Sequence, residues 1–150
     1  MNRTLLQLAM APIGSLGFAL LFNLRAAILI PSSLGGLGCW IAYLLGVKLA
    51  GGIFVPTIIS SAFCALYSEI SARIFKAPAT VFFIPALVPL IPGSTLYYTM
   101  SYLVQKDWNM AAHYGFLTGE YAIGIAAGAC LVWVFYDTFQ GIFNGHKKKL

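Results

Sequence analysis

The chain has 150 residues, 60% of them hydrophobic and only 9% charged, and its mean hydropathy is +0.85. A soluble domain cannot hide that much apolar surface, so the composition excludes one and assigns an all-α polytopic membrane protein. The net charge of +5 does not imply nucleic acid: most basic residues stand singly between apolar runs, as flanks of membrane helices do, and only Lys147-Lys148-Lys149 cluster, as an anchor at lipid headgroups.

Apolar runs near 4–23, 34–50, 53–72, 79–104 and 110–139 predict about five transmembrane helices in a single integral membrane domain over residues 1–150, with a basic cytoplasmic tail at 146–150. The first run follows Arg3 without a small-residue cleavage pattern and reads as a retained span. The second, set off by Pro31-Ser32-Ser33, is the weakest, because Gly35, Gly36, Gly38 and Gly46 lower its helix propensity. Fusing it with the third gives a four-span alternative. Arg3, Lys48 and Lys106 fall on one side, against Arg25, Arg73, Lys76 and Lys147 to Lys149 on the other, which puts the N-terminus outside and the C-terminus in the cytoplasm. Cys39, Cys64 and Cys130 have neither disulfide nor metal spacing, so packing is their expected role and no metal or cofactor is implied.

In the third run Glu69 precedes Arg73 by one helical turn. That spacing predicts an ion pair at the headgroup boundary; the functional alternative makes Glu69 a gate charge or proton acceptor.

Pro85, Pro89, Pro92 and Gly93 interrupt the fourth run, which predicts a helix broken inside the membrane. Freed backbone must face protein or a water-filled cavity, so the break is a candidate substrate path. Ser94 reads as the N-cap of a second half-helix, whose amides at Thr95, Leu96 and Tyr97 would favour a carboxylate. Tyr97, Tyr98, Thr99 and Ser101 supply hydroxyls for a polar path, or belong to the headgroup belt. A proline kink serving only packing is the alternative. A bulkier residue at Gly93 is expected to abolish transport.

The fifth run carries two glycine pairs at a spacing of four, Gly115 with Gly119 and Gly124 with Gly128, which predict close helix packing. Glu120 shares a face with Gly124 and Gly128, so it is expected to point into the bundle as a proton- or substrate-sensing carboxylate. His113, two turns earlier, is a possible relay partner or an interfacial residue beside Trp108 and Tyr114.

No nucleophile elbow, phosphate loop or metal spacing suggests an enzyme. The string from Ala77-Pro78-Ala79-Thr80 through Pro85 and Pro89-Leu90-Ile91-Pro92-Gly93 to Tyr97 resembles the threonine/serine exporter family, and within it the small-subunit type that corresponds to the second membrane half of full-length exporters. Gly17 to Asn23, Gly35 to Trp40 and the Glu69-x-x-x-Arg73 element agree with that pattern. The resemblance implies export of threonine, serine or a dicarboxylate such as succinate. It also implies a partner, a larger subunit with a soluble domain and about five further spans, in a bacterial inner membrane. The competing reading is a membrane scaffold that carries no solute.

Overall fold

Helix α1 (Arg3–Leu21) opens the structure, a computed structural model that describes residues 3–147, with side chains described for residues 4–138. It is followed by α2 (Ala26–Ala50), α3 (Phe54–Phe75), α4 (Thr80–Leu87), a 3-10 turn at Val88–Leu90, α5 (Gly93–Val104) and α6 (Trp108–Lys147). The architecture is all-α. Helices α1, α2, α3 and α6 are each long and apolar enough to cross a membrane, while α4 and α5 pass that test only together, bent by 57° at the proline-rich break. The basic tail at 146–150 lies outside the described side chains.

The first helix ends at Leu21, and Asn23 turns the chain with φ 51, a left-handed conformation asparagine tolerates. Helix α2 then begins at Ala26, well before the expected start at 34, and runs through Pro31. Proline removes one amide from the helical ladder. Neighbouring helices bond to this stretch: Tyr67 donates its hydroxyl to the Pro31 carbonyl at 2.7 Å, and Ser33 donates to the Pro12 carbonyl of α1 at 2.8 Å. With 25 residues, α2 is long enough to cross alone. Gly51 and Gly52, at φ 65 and 66, turn the chain back so that α2 and α3 pack antiparallel, and the two segments are not fused.

The glycines that weaken α2 on propensity are its contact points. A methyl group on Gly35 would meet the Tyr67 ring, on Gly38 the Phe63 ring, on Gly46 the backbone of Pro56, and on Gly36 the Ser15 hydroxyl of α1. Small residues let these helices approach closely enough for dispersion to hold them where no hydrophobic force acts between apolar surfaces in lipid. Two of the buried serines bond to helix carbonyls: Ser68 donates to Cys64 at 2.7 Å and Ser61 to Ile125 of α6 at 2.6 Å. Cys39 and Cys64 sit in the core with Ala86 and Leu90, whereas Cys130 is exposed.

Candidate substrate path at the broken helix

The break follows from Pro92. A proline disfavours the helical region for the residue before it, and Ile91 is extended, at φ −61 and ψ 122. Val88, before Pro89, stays helical at φ −47 and ψ −45, so Pro89 is absorbed in the 3-10 turn. Pro85 is buried within α4. Leu90, 3% exposed, is the last core residue before the break, whereas α5 has no buried residue and packs chiefly on α6. At Gly93, where α5 starts, nothing lies within 4 Å of the position a Cβ would take.

Ser94 is not the cap. Pro92 occupies that position, and Ser94 is exposed in the first turn. The side chain that closes the turn is Thr95, which donates to the Pro92 carbonyl at 3.1 Å. Thr118 of α6 directs its single proton between the Thr95 hydroxyl at 3.0 Å and the Tyr114 carbonyl at 2.8 Å, and Thr99 donates to the Thr95 carbonyl at 2.8 Å. The Leu96 amide is already taken by Pro92, at 3.1 Å, so the amides at the positive helix end belong to Ser94 and Thr95. Sequence reasoning missed Thr118; a hydroxyl set between two glycines of a membrane helix was the available signal.

Tyr97 is 67% exposed and meets Tyr98 edge-on at 5.6 Å, whereas Tyr98, Tyr102 and Tyr114 stack where α5 and α6 meet. These rings glue the two helices together. His113 adds to the stack, edge-on to Tyr114 at 5.4 Å.

The register of α6 on α3 decides where the carboxylates lie. A Cβ at Gly124 would press on Thr57 and the Phe54 carbonyl, and one at Gly128 on Ile58, Ser61 and Ala62, so the start of α3 is level with Gly124. The turns of α6 before Gly124 therefore extend beyond the start of α3, with α5 as their main neighbour. With α5 alongside they form a two-helix arm. Glu120 stands at the root of this arm, exposed, in a groove of ≈ 490 Å³ lined also by Phe54 and by Ala112, Gly115, Phe116, Gly119 and Ile123. The expectation that it points into the bundle is thus corrected. Depth counted from the start of α6 misleads, because this helix has 40 residues and outruns its neighbour. Of the four glycines, Gly124 and Gly128 pack tightly, Gly115 makes ordinary contact with the Thr99 methyl group at 3.6 Å, and Gly119 meets nothing within 4 Å.

His113 is not among the residues lining this groove. Seven residues separate it from Glu120, about 10 Å along the helix axis, so a proton would need an intermediate carrier between them. Glu69 is half-buried on α3. Its expected ion pair with Arg73 is not formed among the described residues; the Arg73 guanidinium lies over the Tyr136 ring instead, 4.6 Å from its centroid. That ring of α6 offers the cation an attractive face that does not require a charged partner. A second hydroxyl contact missed from sequence joins α2 to α6, Tyr43 to Tyr121 at 2.9 Å, with Trp40 stacked on Tyr43 at 5.2 Å. Among the described residues no cluster of three metal-ligating side chains occurs.

Residues 7–135 match the family described as Threonine/Serine exporter, ThrE. The chain belongs to that family. No curated protein and no solved structure matches it. Membership makes the chain an exporter-type membrane transport protein, and in it the proline-rich segment is the place where a helix pair long enough to span only together is bent by 57°.

Proposed function

We propose that this chain is the small membrane subunit of a two-component secondary exporter for small hydroxy amino acids, threonine and serine, or for a dicarboxylate such as succinate. The observation that carries this reading is the break between α4 and α5. It joins a buried core residue, Leu90, to a helix start with open space at Gly93 and a hydroxyl pair, Thr95 with Thr118, beside it. The positive end of α5 favours a substrate carboxylate, and the hydroxyls suit the polar remainder of a hydroxy amino acid. Glu120, and with it Glu69, is the carboxylate that senses protons or substrate, with His113 relaying through water. The larger subunit supplies a soluble domain and about five spans. The complex sits in a bacterial inner membrane, this chain with its N-terminus outside.

The test is efflux of preloaded labelled serine, threonine and succinate from cells lacking both subunits, after restoring this chain, the larger subunit, or both. Efflux of one solute only when both are present supports the two-component reading and names the substrate. Efflux with this chain alone overturns the two-component part, and efflux in no case overturns the substrate assignment.

A further inference from the structure

Beside Glu120 the arm leaves a recess of ≈ 490 Å³ uncovered. The two glycine pairs of α6 have different surroundings. At Gly124 a Cβ would crowd Thr57 of α3 and at Gly128 it would overlap the Ile58 carbonyl, while Gly119 has nothing within 4 Å and Gly115 touches only a threonine methyl group. One notch of the helix is occupied from within the chain and the other stands vacant. Phe116, 79% exposed, and Ile123, 62% exposed, flank the vacant one. Among the described residues, Glu120 in the same groove has neither a cation nor a hydrogen-bond donor.

Among the described residues no other element covers this carboxylate, and a helix that closed over the groove would desolvate it, which is unfavourable unless that helix brings a cation. A second copy docking through the same face would obey two-fold symmetry and bring Glu120 toward Glu120, setting like charges together in a medium of low dielectric. A helix carrying a basic side chain meets both demands at once. Its apolar stem fills the glycine notch between Phe116 and Ile123, and its charge meets the carboxylate. The arm itself points the same way, since α5 buries no residue and leaves Leu96, Met100 and Val104 exposed.

We propose that the groove at Gly115, Gly119 and Glu120 receives a transmembrane helix of the larger exporter subunit, which presents a lysine or arginine to Glu120. This rests on the two-subunit reading above. The test is co-expression of this chain with the larger subunit, one of them tagged, and recovery of the complex in detergent for wild type, Gly119→Leu and Glu120→Lys. In parallel, a benzophenone side chain is introduced at the position of Phe116 in the otherwise unaltered chain. The wild-type chain is expected to retain the larger subunit and to crosslink to it from position 116. Both variants should recover at least about tenfold less partner while keeping the wild-type elution profile of the chain itself, because both positions are open. If the wild-type pair binds but Gly119→Leu binds equally well, or position 116 crosslinks only to a second copy or to lipid, the groove assignment falls and the two-subunit reading stands. If the wild-type chain retains no larger subunit, both fall.

Discussion

Gly128 of α6 lies against α3 so closely that a Cβ there would overlap the backbone carbonyl of Ile58, whereas Gly119, nine residues earlier on the same helix, faces open space. Backbone cannot yield as a flexible side chain can, so the two positions respond oppositely to one methyl group. Gly128→Ala is expected to destabilise the chain by about 1–3 kcal/mol through overpacking. Gly119→Ala should leave stability unchanged or raise it by up to about 1 kcal/mol, the helix-propensity gain. Thermal unfolding of the two variants in one detergent checks this; equal losses would contradict the register of α6 on α3.

The open space at Gly93 separates a backbone role from a steric one. This glycine is not at positive φ, and a Cβ would meet nothing within 4 Å, so Gly93→Ala should fold and export as wild type. Gly93→Trp would instead fill the break and should lower efflux at least about tenfold with unchanged membrane insertion. If alanine alone abolished efflux, the glycine would be required for a conformation other than the one described.

Much of this arrangement was legible in the sequence, for reasons specific to each residue. Pro92 announces the break because its steric rule acts on the residue directly before it, and Ile91 obeys. The spacing of Gly124 and Gly128 aligns them on one face, but Gly119, at the same spacing from Gly115, meets nothing, so spacing marks a face and not what fills it. Ser94 misled, since the cap position depends on where the helical dihedrals begin, and they begin at Gly93. Glu120 misled for a different reason: counting along α6 cannot reveal that α3 starts level with Gly124. Thr118 was invisible as a partner of Thr95 because it lies 23 positions further on, across the α5–α6 connection. What sequence conveys well here is local stereochemistry; register between helices comes only from their contacts.

The Thr95–Thr118 contact ties the start of α5 to α6, and Thr95 also closes its own first turn. Thr→Val keeps the shape and removes the hydroxyl. Each of Thr95→Val and Thr118→Val is expected to cost about 0.5–1.5 kcal/mol, the net worth of one hydrogen bond. The double variant should cost less than the sum, because both remove the same contact. A thermal double-mutant cycle measures the coupling, and strict additivity would show that the hydroxyls do not interact.

Arg73 is held by an aromatic face rather than by the carboxylate one turn away. Glu69→Gln should therefore leave stability within about 0.5 kcal/mol of wild type, as for a surface substitution. Arg73→Gln should cost about 0.5–1 kcal/mol, the usual worth of a cation over an exposed ring. Tyr136→Leu combined with Arg73→Gln should then cost less than the sum of the two single changes, because both remove the same contact. If Glu69→Gln instead destabilised as much as Arg73→Gln, the ion pair would be the true partner.

Glu120 is asked to do two things, to accept a proton and to anchor a partner helix, and neutral and charge-reversed substitutions separate them. Glutamine keeps the shape and can still accept a hydrogen bond from a basic residue, but it cannot change its charge. Glu120→Gln should thus keep the complex with the larger subunit largely intact, while efflux stops responding to an imposed proton gradient and substrate exchange at equal concentrations continues. Lysine repels the basic partner and should remove complex and efflux together. The measurement is gradient-driven efflux beside counterflow exchange in vesicles holding both subunits. Full gradient response in Glu120→Gln would leave Glu120 as an anchor only, and would move the proton-carrying role to Glu69 or to the larger subunit.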